Sequence, residues 1–154
     1  MSISHVLTLH PSGVHNTRTE GVRLGLIMAT ATWIWIAAVD VVAGQPFHTF
    51  QVLGGIAIFT IVHYLLNITY GTVLLSAIHS AERAPTVIFG LIFGLLIFEG
   101  SIAMLSGVLA EMGLGNTAWV AILGGSLVSS LIAFSLLAYT HPLATYLRRA
   151  EEED

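Results

Sequence analysis

Four long apolar runs, joined by short polar connections, dominate the chain. Their approximate limits are Leu24 to Ala43, Gln51 to Ile78, Thr86 to Ala110 and Ala118 to Tyr139. A helix needs about 20 apolar residues to cross the hydrocarbon core of a bilayer, so each run predicts one transmembrane helix. Short connections make consecutive helices antiparallel neighbours. The pattern therefore predicts an all-α polytopic membrane protein, an up-down-up-down four-helix transmembrane bundle.

The basic residues predict the orientation of this bundle. There is no Lys, and the five Arg all fall on one side of the four-run pattern, at Arg18, Arg23, Arg83, Arg148 and Arg149. Short loops that carry Lys or Arg stay on the cytoplasmic side of the membrane. We therefore expect a multi-pass protein of the cytoplasmic (inner) membrane with both termini inside. Residues 1–21 form a cytoplasmic N-terminal segment, 22–141 the transmembrane domain and 142–154 a cytoplasmic tail.

Composition narrows the classes of function. Only 9% of the residues are charged and the mean hydropathy is +0.85, whereas soluble domains carry about 25% charged residues. The lipid bilayer is thus the first predicted partner. A nucleic-acid-binding surface needs clustered Lys and Arg, so no nucleic-acid partner is predicted. The absence of Cys excludes thiolate chemistry, and the sequence contains no recognisable nucleotide-binding or hydrolase motif. No catalytic residues and no metal site are predicted.

Several polar side chains lie at membrane depth. At ~1.5 Å per residue, Glu99 and Asn67 each lie ~18 Å from the cytoplasmic end of their helix. His63, one turn further out, shares a helix face with Asn67 and Tyr70, and Asp40 lies at a similar outward depth. These residues predict an intramembrane polar seam in which His63 and Asn67 face Glu99 and Asp40 closes the outer end.

Three interpretations of the seam remain open. Buried polar groups can hydrogen-bond one another and fix the register of packed helices. Intramembrane Glu and His are also the groups used in proton or ion paths. Finally, His63 could be the single axial ligand of a haem or a chlorophyll-type pigment, although a bis-His haem would need a second His at midplane depth. No cofactor is predicted.

Small residues recur at four-residue spacing on three of the runs. At this spacing they share one helix face and let two helix backbones approach closely. We expect most of them to pack inside the bundle and one stripe, containing either Gly90 and Gly94 or Gly125 and Ser129, to face another subunit. The predicted packing residues are Gly25, Ala29, Gly90, Gly94, Ala121, Gly125 and Ser129.

Short motifs also carry a resemblance. Four short elements resemble motifs in a loose group of small four-span bacterial membrane proteins of unknown function. These elements are the stretch from Asp40 to Thr49, His63, the Arg83-Ala84-Pro85 segment and the pair Phe98-Glu99. The resemblance covers about residues 20 to 142. It implies no activity, but it implies that Asp40, His63 and Glu99 belong to one site.

These features together favour a non-catalytic role. Short loops offer little surface for recognising a soluble substrate, whereas the helix faces suit lateral association in the membrane. The sequence therefore predicts an accessory or assembly subunit of a larger membrane complex, respiratory or photosynthetic, with other membrane proteins or further copies of itself as partners. The alternative is a small proton, ion or solute channel or transporter that uses the His63–Glu99 seam.

Overall fold

The fold is a bundle of long helices. A computed structural model of the chain describes residues 17–81 and 87–140, and this part contains helices and turns but no β-strand. The helices are α1 (Thr17–Val42), α2 (His48–Val52), α3 (Ile56–Ala81), α4 (Val87–Leu109) and α5 (Gly124–Thr140). Two π-helical turns, Ala110–Leu114 and Trp119–Leu123, link α4 to α5.

Four of these helical stretches are long and apolar enough to cross a membrane. They comprise Arg18–Val42, Ile56–Ser80, Gly90–Leu114 and Trp119–Tyr139. The prediction of an all-helical chain with four spans is thereby confirmed, and the four spans indicate a multi-pass membrane protein. Most of the predicted N-terminal segment (residues 1–16), the loop around Arg83 and the predicted tail 142–154 lie outside the described residues.

The second span begins later than its hydrophobicity predicts. Gln51 lies in the short helix α2, and α3 begins at Ile56. Between them Gly54 and Gly55 have φ values of 98° and 94°, in a region that residues with a Cβ rarely adopt. The predicted start at Gln51 was therefore wrong, because two glycines break the helix within a continuous apolar run.

Contacts along α1 show that it runs antiparallel to α3. Near the start of α1, Gly21 packs against Thr72, close to the end of α3. Further along α1, the indole of Trp33 donates a hydrogen bond of 3.0 Å to Thr60, near the start of α3. The pairing thus proceeds in opposite directions along the two helices, as expected for successive spans joined by a short connection.

The remaining long helices also pack next to their neighbours in the chain, and the last returns to the first. Tyr70 of α3 stacks on Phe98 of α4, and Glu99 of α4 is hydrogen-bonded from α5. The hydroxyl of Thr32 in α1 then donates to the carbonyl of Gly125 in α5, at 3.3 Å. Each long helix therefore has two long-helix neighbours, in the cyclic order α1, α3, α4, α5.

The α1–α3 contact is the most extensive in the bundle. It depends on glycine, because a Cβ built on Gly25 would lie only 2.5 Å from the Cα of Ile68, and one on Gly71 only 2.7 Å from the backbone nitrogen of Gly25. Hydrocarbon supplies no hydrophobic driving force between helices, so dispersion contacts made at such close approach must hold them together.

Candidate functional site

A chamber of about 720 Å³ lies inside the bundle. Its floor is formed by buried residues of α1 and α5, such as Met28, Thr32 and Ser129. Its rim includes exposed residues of α3 and α4, such as Leu66 (64% exposed) and Leu105 (45% exposed). Because the exposed lining belongs to α3 and α4, the chamber opens towards the membrane between these two helices.

His63 lies on the wall of the chamber with its ring held from two sides. Its Nε2 atom is 3.1 Å from the carbonyl oxygen of Ala29. A carbonyl oxygen is only an acceptor, so Nε2 carries the proton and donates this bond. The imidazole also stacks on Phe59, with ring centroids 5.0 Å apart. Ligation of a haem or pigment through Nε2 would first require the bond to Ala29 to break.

Asn67 continues the polar wall one turn along α3. Its side-chain nitrogen donates a 2.9 Å hydrogen bond to the backbone carbonyl of His63 and lies 3.4 Å from Nδ1 of the same residue. Both residues line the chamber. The structure thus brings together His63 and Asn67, as the helix spacing predicts, but through local contacts within α3.

Tyr70 completes the α3 part of the wall. Its ring stacks on Phe98, with centroids 5.1 Å apart and an angle of 21° between the rings. The phenolic oxygen is buried and finds no hydrogen-bond partner among the described residues. The hydroxyl oxygen of Ser129, in α5, is also buried without a hydrogen-bond partner among the described residues. Both residues line the chamber, but their hydroxyl oxygens are buried in the packing beside it and find no partner among the described residues.

Glu99 is held by α5 and not by α3. Its two carboxyl oxygens accept hydrogen bonds from Ser126 (2.9 Å) and Ser130 (2.5 Å). These serines are four residues apart and so lie on one face of α5, and both line the chamber. In the described part of the chain no hydrogen bond joins Glu99 to His63 or Asn67, which differs from the expected seam. The carboxyl group instead fastens α4 to α5.

Asp40 lies apart from the chamber, near the C-terminal end of α1. It is fully buried, and its carboxylate accepts hydrogen bonds from the backbone N–H (2.9 Å) and the hydroxyl (2.5 Å) of Thr49. Thr49 belongs to the short helix α2, so Asp40 ties α2 to α1. The structure does not place Asp40 with His63 or Glu99 in one site.

The small residues fall into two groups. Gly25 and Ala29 face α3, while Ala121, Gly125 and Ser129 pack within the bundle, where a Cβ on Gly125 would lie 3.0 Å from Thr32. Gly90 and Gly94 are exposed, and a Cβ on either would meet none of the described residues within 4 Å. One glycine pair is therefore left without a packing role in the described bundle.

Sequence reasoning missed the partners of both carboxyl groups. Ser126 and Ser130 are polar residues within the fourth apolar run, but the direction of their side chains depends on how α5 is rotated about its axis. Thr49 ends the stretch that begins at Asp40, nine residues earlier, and nothing in the sequence marks it as the partner of that carboxyl group. Side-chain pairing across a bundle is set by the rotation of each helix, which apolar runs alone do not reveal.

Comparisons with known proteins add no relative. No family model, no curated protein and no solved structure matches the chain. The class of protein is thus defined by the fold, a set of four helices able to span a membrane, and the function has to be argued from the chamber and from the exposed helix faces.

Proposed function

We propose that the chain is a non-catalytic subunit of a larger membrane complex, respiratory or photosynthetic, which it stabilises by lateral helix packing. The observation that carries this proposal is the poor packing of α4. In an apolar stretch of 18 residues within the span Gly90–Leu114, only 6% of the residues are buried. In the corresponding stretches of the first, second and fourth spans, 33%, 17% and 28% of the residues are buried. One span of the four thus presents most of its surface to the membrane.

The exposed glycines of α4 support a protein partner over lipid alone. Glycine costs a helix interior about 1 kcal/mol relative to alanine. At Gly25 that cost is offset by close contact with α3, but Gly90 and Gly94 have no such contact among the described residues. Two glycines four residues apart on one face are typical of helix pairs in membranes. A helix of another membrane protein is the occupant that this face fits.

The residues around the glycine pair indicate where the partner lies. Ile97 and Val108 share the face with Gly90 and Gly94 and are 56% and 51% exposed. Such a surface is apolar along several turns, so it suits a partner inside the hydrocarbon and not a soluble protein. The stripe defined by Gly90, Gly94, Ile97, Ser101 and Val108 is called the α4 stripe below.

The proposed location follows from charge. The positions of the five Arg support insertion into the cytoplasmic membrane with both termini inside. In that orientation the connection after α1, which contains Gln45, and the connection after α4, which contains Asn116, both face outwards.

Co-purification from the native membrane tests this proposal. The full chain with an affinity tag is extracted in mild detergent, and we expect it to retain other membrane proteins in a fixed ratio. Gly94→Leu should release them and leave an inserted, helical chain, because a bulky side chain blocks close approach of a second helix. Gly100→Leu is the matched control. Gly100 is also exposed and without neighbours within 4 Å in the described region, but it lies about 120° around α4 from Gly94.

Three results would contradict lateral association through this face. The wild-type chain could purify alone, or Gly94→Leu and Gly100→Leu could retain the same partners. Loss of partners from both variants would likewise place the contact elsewhere on α4.

A channel or transporter is the second candidate. It is favoured by the chamber, whose wall contains His63, Asn67 and Tyr70 together with the two serines that hold Glu99. Intramembrane ionisable groups commonly mark ion paths. For this candidate, proteoliposomes containing the chain alone would pass protons or a small solute, and Glu99→Gln would abolish the flux. A tight liposome with the wild-type chain would exclude it.

A further inference from the structure

The side-chain amide of Asn67 presents an unused hydrogen-bond acceptor at the chamber. Its nitrogen donates to the backbone carbonyl of His63 at 2.9 Å. A carbonyl oxygen only accepts, so this end of the amide is the NH₂ group and Oδ1 points the other way. In the described part of the chain Oδ1 accepts no hydrogen bond. Asn67 is half-buried and lines the chamber, and its Oδ1 is not among the unpaired atoms that are closed off from all contact, so this oxygen is accessible.

The hydrogen-bond donors of the chamber wall, by contrast, are used or closed off. The ring N–H of His63 donates to Ala29. Four hydroxyls of the wall donate to other groups of the protein, those of Thr32, Thr69, Ser126 and Ser130. The hydroxyl oxygens of Tyr70 and Ser129 are buried in the packing beside the chamber. The wall therefore offers a free acceptor and no free donor, so it suits an occupant that donates a hydrogen bond.

The depth of Asn67 narrows the source of this donor. Asn67 lies 11 residues after Ile56 and 14 before Ala81 in α3, which places it ~17–21 Å from either helix end. The hydrocarbon core supplies no water to an unpaired polar group, and the polar groups of phospholipids lie in the interfacial layers outside it. An amide oxygen without a partner is unfavourable there. The donor therefore belongs to a molecule that dissolves in the hydrocarbon core and enters between α3 and α4.

Aromatic side chains of the wall indicate the shape of this molecule. Phe59 precedes Asn67 along α3, and Phe98 contacts α3 just beyond it, at Tyr70. Phe59 is stacked on His63 and Phe98 on Tyr70, which fixes the orientation of both rings. Aromatic rings pair favourably with a further ring, stacked or edge to face. A volume of about 720 Å³ falls in the range of sites that enclose most of a small organic ligand.

We propose that the chamber binds a lipid-soluble phenol, whose hydroxyl group donates a hydrogen bond to Oδ1 of Asn67. The ring lies among the aromatic walls, and an apolar tail leaves between α3 and α4 beside Leu66 and Leu105, which are exposed on the rim. Binding requires no chemical step. The chamber includes no residue of the α4 stripe, so this site goes beyond the proposed lateral packing, and either can fail without the other.

A binding assay with matched ligands tests the proposal. The full purified chain is reconstituted in lipid nanodiscs and titrated with tritium-labelled 4-octylphenol, and empty nanodiscs give the amount that dissolves in the lipid. Two unlabelled competitors keep the ring and the tail but cannot donate a hydrogen bond. In 4-octylanisole a methyl group replaces the hydroxyl proton, and octylbenzene lacks the oxygen altogether.

A pair of variants tests the role of Asn67. Asn67→Leu removes the acceptor and keeps a side chain of similar size. The hydrogen bonds of the Asn67 side chain all go to His63 within α3, so the variant loses none between helices and should fold, which circular dichroism checks. The control Asn116→Leu makes the same change at an exposed position outside the chamber.

The expected result is saturable binding of one phenol per chain, above the uptake by empty nanodiscs. Asn67→Leu should weaken binding by about 2- to 12-fold, the equivalent of one ordinary hydrogen bond. Asn116→Leu should bind as the wild type does. Both competitors should be weaker than unlabelled 4-octylphenol by a similar factor, and this comparison holds even if Asn67→Leu does not fold.

Three outcomes would overturn the proposal. The first is the absence of saturable binding to the wild-type chain. The second is wild-type affinity in a folded Asn67→Leu variant. The third is competition by 4-octylanisole or octylbenzene as strong as that of unlabelled 4-octylphenol, which would show that the chamber accepts apolar molecules without a hydrogen bond from the ligand.

Discussion

Replacing Gly25 by alanine is expected to force α1 away from α3. The added Cβ would lie 2.5 Å from the Cα of Ile68, whereas ordinary contact begins at 3.4 Å, so the helices would have to separate by about 0.9 Å. The obstacle is backbone, which cannot rotate away as a side chain can. Overpacking typically costs about 1–3 kcal/mol, and we expect Gly25→Ala to lower the free energy of unfolding by about 2 kcal/mol or more.

Gly90→Ala is the matched control for this prediction. It makes the same change in another transmembrane helix, at a site where a Cβ meets none of the described residues within 4 Å. There the higher helix propensity of alanine should dominate and stabilise the chain by up to about 1 kcal/mol. Unfolding of both variants in mixed detergent and SDS micelles, followed by circular dichroism, measures the difference. Equal stability of Gly25→Ala and Gly90→Ala would refute the close approach of α1 and α3.

Three further predictions concern the polar groups and the orientation. Glu99→Gln keeps an acceptor for the serines of α5 and should preserve the free energy of unfolding in the same assay. Glu99→Leu should lower this free energy by about 1–3 kcal/mol. Equal stability of the two variants would show that Glu99 does not fasten α4 to α5. Asp40→Ala should leave the buried N–H of Thr49 unpaired and speed its hydrogen exchange, and unchanged protection would contradict the hydrogen bond from this N–H to Asp40. In the Cys-free chain, a membrane-impermeant maleimide should label Gln45→Cys on intact cells but Thr19→Cys only after permeabilisation, and the reverse pattern would invert the proposed topology.

The number of spans could be predicted from the chain because each apolar run is long enough to cross the bilayer. The start of α3 could not, since hydrophobicity continues from Gln51 through Ile58 and only the glycine pair Gly54–Gly55 interrupts the helix. Glycine is common inside transmembrane helices, where it often serves helix packing, so its presence alone does not mark a break. Its conformation becomes visible only in three dimensions.

The chamber was only partly predictable. Counting residues along the helices placed His63, Asn67 and Glu99 at similar depths, and His63 and Asn67 do line one wall. Depth does not determine rotation, however, and the side chain of Glu99 turns to Ser126 and Ser130. The unpaired hydroxyls of Tyr70 and Ser129 depend on the absence of a neighbour in the described bundle, and such an absence leaves no trace in a sequence.

Photo-crosslinking in the native membrane tests lateral association most directly. A photoreactive amino acid is placed at Ile97, on the α4 stripe, and in a second variant at Ile34 of α1, which is 58% exposed against 56% for Ile97. We predict that irradiation links position 97 to one defined membrane protein and position 34 to lipid. Crosslinking of position 97 to lipid alone, or the same protein products from both positions, would contradict the proposal that this chain is a subunit held through α4.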